Sequence, residues 1–117
     1  GGVDEPRLGR PDMNGALAGA PPDAVRILLC HEPDYADRLV RPEHRVSLVI
    51  GGHSHGGQVC LPLIGPILLP EGGSKYHTGL YRADHCQVYT TRGVGTAHIP
   101  VRLFCPPEVT LLRLVPQ

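Results

Sequence analysis

Apolar positions along this chain fall into short runs separated by proline, glycine and charge. Val25-Arg26-Ile27-Leu28-Leu29-Cys30 is rich in β-branched and aliphatic residues and is bounded by Pro22 and Pro33. That pattern predicts a buried strand. Val46-Ser47-Leu48-Val49-Ile50 predicts a second one. Between them Pro33-Asp34 opens a short helix through Tyr35, Ala36, Leu39 and Val40, which Pro42 stops. Strand, helix and strand at this spacing make a βαβ-like unit. Upstream, residues 1–11 read as loop. Asp12 then caps a short helix through Met13, Ala16, Leu17 and Ala18, ended by Pro21-Pro22.

The second half has a different rhythm. Gln58-Val59-Cys60-Leu61-Pro62 predicts a strand that enters a Pro/Gly-rich loop from Leu63 to Ser74. His77 to Arg82 and Gln87 to Thr91 predict two strands with a turn near Asp84-His85, and residues 92–96 predict a further turn. Glu108 to Leu114 predicts a last strand. The expected class is α/β, a βαβ-like unit followed by antiparallel strands, within one domain over residues 1–117.

Histidines stand where the two buried strands end. His31 follows the first strand, and Gly51-Gly52-His53-Ser54-His55-Gly56-Gly57-Gln58 follows the second. Ligands of such α/β units collect beyond the carboxyl ends of the strands, so His31, His53 and His55 are brought towards one rim. Flanking glycines permit a sharp turn and close approach, and imidazole is the commonest metal ligand among side chains. The three histidines therefore form a candidate metal site, since three protein ligands with an open position is a frequent arrangement for catalytic zinc. For His31 alone, a hydrogen-bonded core histidine is an equally good reading. Ser54 reads as a backbone hydrogen-bonder, because a nucleophile would need a base and an oxyanion hole. Asp4, Asp34 and Asp37 are the acids nearest the rim, and none has a spacing that demands metal. His44, His77, His85 and His98 lie among polar or turn residues and read as surface groups. Arg92 and Arg102 are candidates to meet a phosphate, with solvated arginine as the default; Arg92 is the favoured substrate contact.

Composition narrows the classes. Eleven basic and eleven acidic residues give no net charge, and no basic stripe is present to track nucleic acid. The fifteen glycines and thirteen prolines lie between apolar runs and act as punctuation rather than low complexity. The four cysteines, Cys30, Cys60, Cys86 and Cys105, are widely spaced. They read as small buried hydrophobes; a disulfide framework, or one Cys joining the metal site, is the alternative. No apolar stretch reaches the ~18–20 residues of a membrane-spanning helix.

Four stretches, taken in order, resemble the calcineurin-like metallophosphoesterases, in particular the bacterial YkuE-like branch of predicted phosphohydrolases. They are Ile27-Leu28-Leu29-Cys30-His31-Glu32-Pro33-Asp34, Gly51 to Pro62, Lys75-Tyr76 through Leu80-Tyr81, and Tyr89 to Gly95 through Ile99-Pro100-Val101-Arg102 to Pro107-Glu108. The resemblance implies a four-layer α/β/β/α sandwich with its site at the strand ends. It implies hydrolysis of a phosphoester or pyrophosphate bond at a dinuclear centre of Mn, Fe or Zn. His31 and His53 would then bind one ion and His55 the other. The family's Asp-x-His motif, its bridging Asp in a Gly-Asp motif and its Gly-Asn-His-Asp/Glu motif are absent from this chain, and Gly2 to Pro6 is similar to the segment that follows them. The expectation is a C-terminal part of such a domain, inactive alone, with the N-terminal half as its partner. Its substrate would be a small-molecule or lipid phosphoester, and the branch implies a bacterial parent that is membrane-associated or exported. The competing expectation is a non-catalytic module that binds one ion through His31, His53 and His55, or a scaffold that binds none.

Overall fold

The computed structural model describes residues 1–115. Among the described residues there are six strands: β1 (Arg26–Leu29), β2 (Val46–Gly51), β3 (Cys60–Leu61), β4 (Gly65–Pro66), β5 (Gly79–Arg82) and β6 (Gln87–Thr90). Two short helices, α1 (Met13–Leu17) and α2 (Ala36–Leu39), accompany them. Asp12 caps α1 as its sequence predicts, its carboxylate accepting from the Gly15 amide at 3.0 Å. The helix expected from Pro33 is a 3-10 turn over Pro33–Tyr35 that continues into α2.

The main sheet has the order β1-β2-β6-β5. β1, β2 and β6 run parallel, and β5 returns antiparallel against β6. The hairpin and its turn are where the sequence places them, with the Ala83 amide donating to the Cys86 carbonyl at 2.9 Å. The parallel pairing of β6 with β2 was not expected from a run of antiparallel strands. β3 and β4 form a separate two-stranded hairpin, shorter than the predicted strand over 58–62.

The register explains the core. Leu28 lies opposite Val49, and Val49 opposite Val88, so three aliphatic side chains form one row across the parallel strands. All three are fully buried. Ala36 and Val40 at the α2 end, Met13 of α1 and Tyr76 complete the cluster. Each side chain of this row contributes about 25 cal/mol per Å² of apolar surface removed from water.

Two expectations need correction. β1 is not a buried strand: Leu28 is enclosed, but Leu29 is 56% exposed and Val25 more so. β1 is an edge of this sheet, supplemented by residues 1–3, which bridge from Gly2 to Leu29, and the face that carries Leu29 stays open. The strand predicted over 108–114 does not form. Glu108 is tied back by side-chain and backbone bonds, and residues 109–115 run along no strand among the described residues. An alternating sequence becomes a strand only where a neighbour accepts its backbone groups.

Candidate metal centre

Because β1, β2 and β6 are parallel, their carboxyl ends share one rim of the sheet. His31 follows β1, His53 and His55 follow β2, and Thr91-Arg92 follow β6. A groove of about 590 Å³, bordered by Arg45, Ser47, Arg82 and His85, lies at the opposite ends of these strands, away from the histidines.

The turn after β2 is built from left-handed backbone. His55, Gly56, Gly57 and Gln58 have φ of 52, 66, 85 and 55° in succession. Glycine adopts this region freely, whereas His and Gln are held there at a cost. The surroundings hold them. Gln58 spends its side-chain amide on Ala97 and Ile99, donating to both carbonyls at 3.0 Å and accepting from the Ala97 amide at 2.7 Å. Arg102 donates to the carbonyls of His55, Arg92, Gly93, Gly95 and Cys105 at 2.6–3.3 Å. Its expected role as a solvated arginine is thus replaced by that of a clamp between two loops. Ser54 behaves as predicted, its hydroxyl donating to the His77 carbonyl and accepting from the Gly56 amide.

His31 and His53 meet. His31 Nε2 lies 3.1 Å from His53 Nδ1, with the rings edge-on. The other nitrogen of His53, Nε2, lies 3.1 Å from the Glu71 carbonyl. A carbonyl only accepts, so Nε2 carries the proton and Nδ1 presents its lone pair to His31. Glu32 is buried completely beside them. One of its oxygens accepts from the Arg7 amide at 3.1 Å, while the other, Oε1, has no hydrogen-bond partner but lies 4.0 Å from the Arg7 guanidinium (Nε) and 3.9 Å from His53 Nε2. A buried carboxylate with an unpaired oxygen is costly unless positive charge is near. No signal in the sequence pointed to Glu32, because its importance comes from burial.

His55 does not join that pair. Its Nδ1 is buried without a hydrogen-bond partner. Burial, followed by the charge of Arg102, pushes the His55 pKa down, which favours the neutral form of the ring. Among the described residues no three His, Cys, Asp or Glu side chains converge as a metal cage. The acids nearest the rim are committed to structure. Asp34 accepts from the amides of Ser74, Lys75 and Tyr76 at 2.7–3.0 Å, Asp37 pairs with Lys75 and the Tyr76 hydroxyl, and Asp4 caps its own turn. Arg92 stands at the rim with its Nε donating to Glu108 at 2.7 Å. The donors present therefore fit divalent ions in kind: a facing imidazole pair, a third imidazole with an unpaired ring nitrogen and a buried carboxylate beside them.

Three relatives illustrate what the sequence is similar to. The chain is 39% identical over 112 residues to the uncharacterized metallophosphoesterase YkuE of Bacillus subtilis, covering 96% of this chain and 38% of the relative. It is 41% identical over 90 residues to the phosphodiesterase YaeI of Escherichia coli, covering 77% and 32%. It is 35% identical over 104 residues to a transmembrane protein with metallophosphoesterase domain from Danio rerio, covering 88% and 23%. The chain spans less than half the length of these curated relatives. No family model matches it, and no solved structure matches it. Among the described residues no helix is long and apolar enough to cross a membrane.

Proposed function

Because this chain is a C-terminal metallophosphoesterase-like portion, we propose that the protein carrying it hydrolyses a phosphoester or pyrophosphate bond with divalent metal ions held at the β1–β2–β6 rim. The observation that carries this reading is the contact of His31 Nε2 with His53 Nδ1 at 3.1 Å. Two imidazole nitrogens each about 2.0–2.1 Å from one ion stand at about this separation. His31 and His53 would hold one ion and His55 a second, with the remaining ligands supplied from outside this chain in a four-layer sandwich. Two ions of Mn, Fe or Zn would supply Lewis acidity toward the phosphoryl group. The Glu71 carbonyl keeps the proton of His53 on Nε2 and its ring in register, as outer partners of metal-binding histidines do. The buried Glu32 carboxylate, shared between Arg7 and His53, adds negative charge beside the imidazole pair. Arg92, anchored through Nε by Glu108, turns its remaining nitrogens to a substrate phosphate. Attachment of the protein to a membrane, as in the relatives named transmembrane, is part of the same proposal.

The test uses the full-length protein, loaded with Mn²⁺ and assayed on bis-p-nitrophenyl phosphate. His53→Ala is expected to lower turnover on the order of 100-fold or more, and metal analysis to find two ions per chain. Wild-type turnover in that variant overturns the assignment. A single ion without turnover favours a non-catalytic module holding one metal through His31, His53 and His55. The isolated residues 1–117 are expected to show no turnover.

A further inference from the structure

Behind the His55 turn, two thiols rest on the same backbone oxygen. Cys60 Sγ and Cys105 Sγ each lie 3.4 Å from the Gly56 carbonyl oxygen. Cys105 Sγ also lies 3.4 Å from the His55 carbonyl and 3.7 Å from Arg102 Nη1. Their backbones are locked near one another, since the Cys60 amide donates to the Leu103 carbonyl at 2.9 Å and Phe104, with φ 49°, turns the chain so that Cys105 doubles back. Cys105 is buried and Cys60 half-buried, and all four cysteines are free. The other two have different surroundings: Cys30 Sγ bonds the Glu32 carbonyl in the core, and Cys86 sits by the β5–β6 turn. Nothing in the sequence pairs Cys60 with Cys105 across forty-five positions.

We propose that Cys60 and Cys105 are a redox-closable pair, which a disulfide oxidant converts to an intrachain bridge behind His55. The inference goes beyond the phosphoester reading and stands whether or not that reading holds. Oxidised glutathione illustrates the chemistry. Cys60, the half-buried member of the pair, attacks one glutathione sulfur as its thiolate; the reagent's S–S bond breaks and one glutathione thiolate leaves. The Cys105 thiolate, with the Arg102 guanidinium beside it, then attacks the Cys60 sulfur and expels the second glutathione. Two electrons pass from the protein dithiol to glutathione, and the two thiol protons end on the released glutathione or in solvent. Closing the bridge removes both S–H donors from the Gly56 carbonyl. It also fastens β3 to the segment after Phe104 across the back of the turn that carries His55.

The test equilibrates the native full-length protein in buffers of rising ratio of oxidised to reduced glutathione. The thiols that remain are trapped by alkylation, and the peptides are mapped by mass. One bridge joining the Cys60 and Cys105 peptides is expected, reversible by dithiothreitol, with Cys30 and Cys86 still alkylated. Cys105→Ser is expected to leave one glutathione on Cys60, and Cys60→Ser to abolish the bridge. The same protein oxidised in denaturant is expected to lose this selectivity. Alkylation of both Cys60 and Cys105 at every ratio overturns the proposal, as does a bridge through Cys30 or Cys86 or between two chains.

Discussion

Four consecutive residues with positive φ, from His55 to Gln58, set the tolerance of the site to substitution. At Gly57 an added Cβ would lie 2.3 Å from Pro66 Cβ, in a backbone that already disfavours side chains. Gly57→Ala in the full-length protein is therefore expected to cost about 1–3 kcal/mol of stability, read as a lower denaturation midpoint; an unchanged midpoint would show that the turn relaxes. Glu108 gives a pH prediction. The Tyr89 hydroxyl, then the Thr110 hydroxyl and Arg92 hold its pKa down at about 2, below the ordinary 4.5. A depressed carboxylate stabilises fully above its unfolded value and loses that contribution as pH falls through its folded value. The Glu108 amide, bonded to the Gly93 carbonyl at 2.9 Å, is expected to lose exchange protection as the pH falls from about 4.5 through about 2. In Glu108→Gln that acid dependence should be absent.

At the scale of elements, Asp34 joins the two halves of the rim. It sits in the 3-10 turn before α2, yet its carboxylate holds three successive amides of residues 74–76. Those residues follow the loop that brings the Glu71 carbonyl to His53. Asp34→Ala is expected to destabilise this region by about 2–4 kcal/mol, since several bonds to a charged acceptor are lost together. The check is hydrogen exchange: amides 74–76 should exchange faster while those of β2 keep their protection. Equal acceleration in β2 would mean that Asp34 supports the whole sheet and not this loop alone. Asp34 was visible in the sequence as an acid near the rim, but its work was not, because its partners lie forty residues away.

For the whole molecule the decisive feature is the surface left open. Leu63, Ile64 and Leu68 around the β3–β4 hairpin are each at least 76% exposed, and Leu29, Phe104, Val109 and Leu111 are open as well. So much bare apolar surface, with a half-covered edge strand, favours association. The isolated chain is expected to self-associate, with broad unfolding and dye-binding apolar surface; a sharp two-state transition of a monomer would refute this. By itself the sequence determined the two parallel strands, the β5–β6 hairpin, the histidines at the strand ends and the resemblance to metallophosphoesterases. These are readable because hydrophobic period, Gly and Pro punctuation and a compact His-Ser-His motif are local signals. Only the tertiary structure decided that β6 pairs with β2, which brings Arg92 to the histidine rim. It also decided that His53 faces His31 while His55 turns elsewhere, that Glu32 is buried beside them, that Arg102 clamps the loops and that residues 108–114 form no strand. Each of these depends on which distant backbone or side chain supplies the partner for a polar group or a strand edge. Residue type and spacing state the need for a partner, and three-dimensional proximity alone states which one meets it.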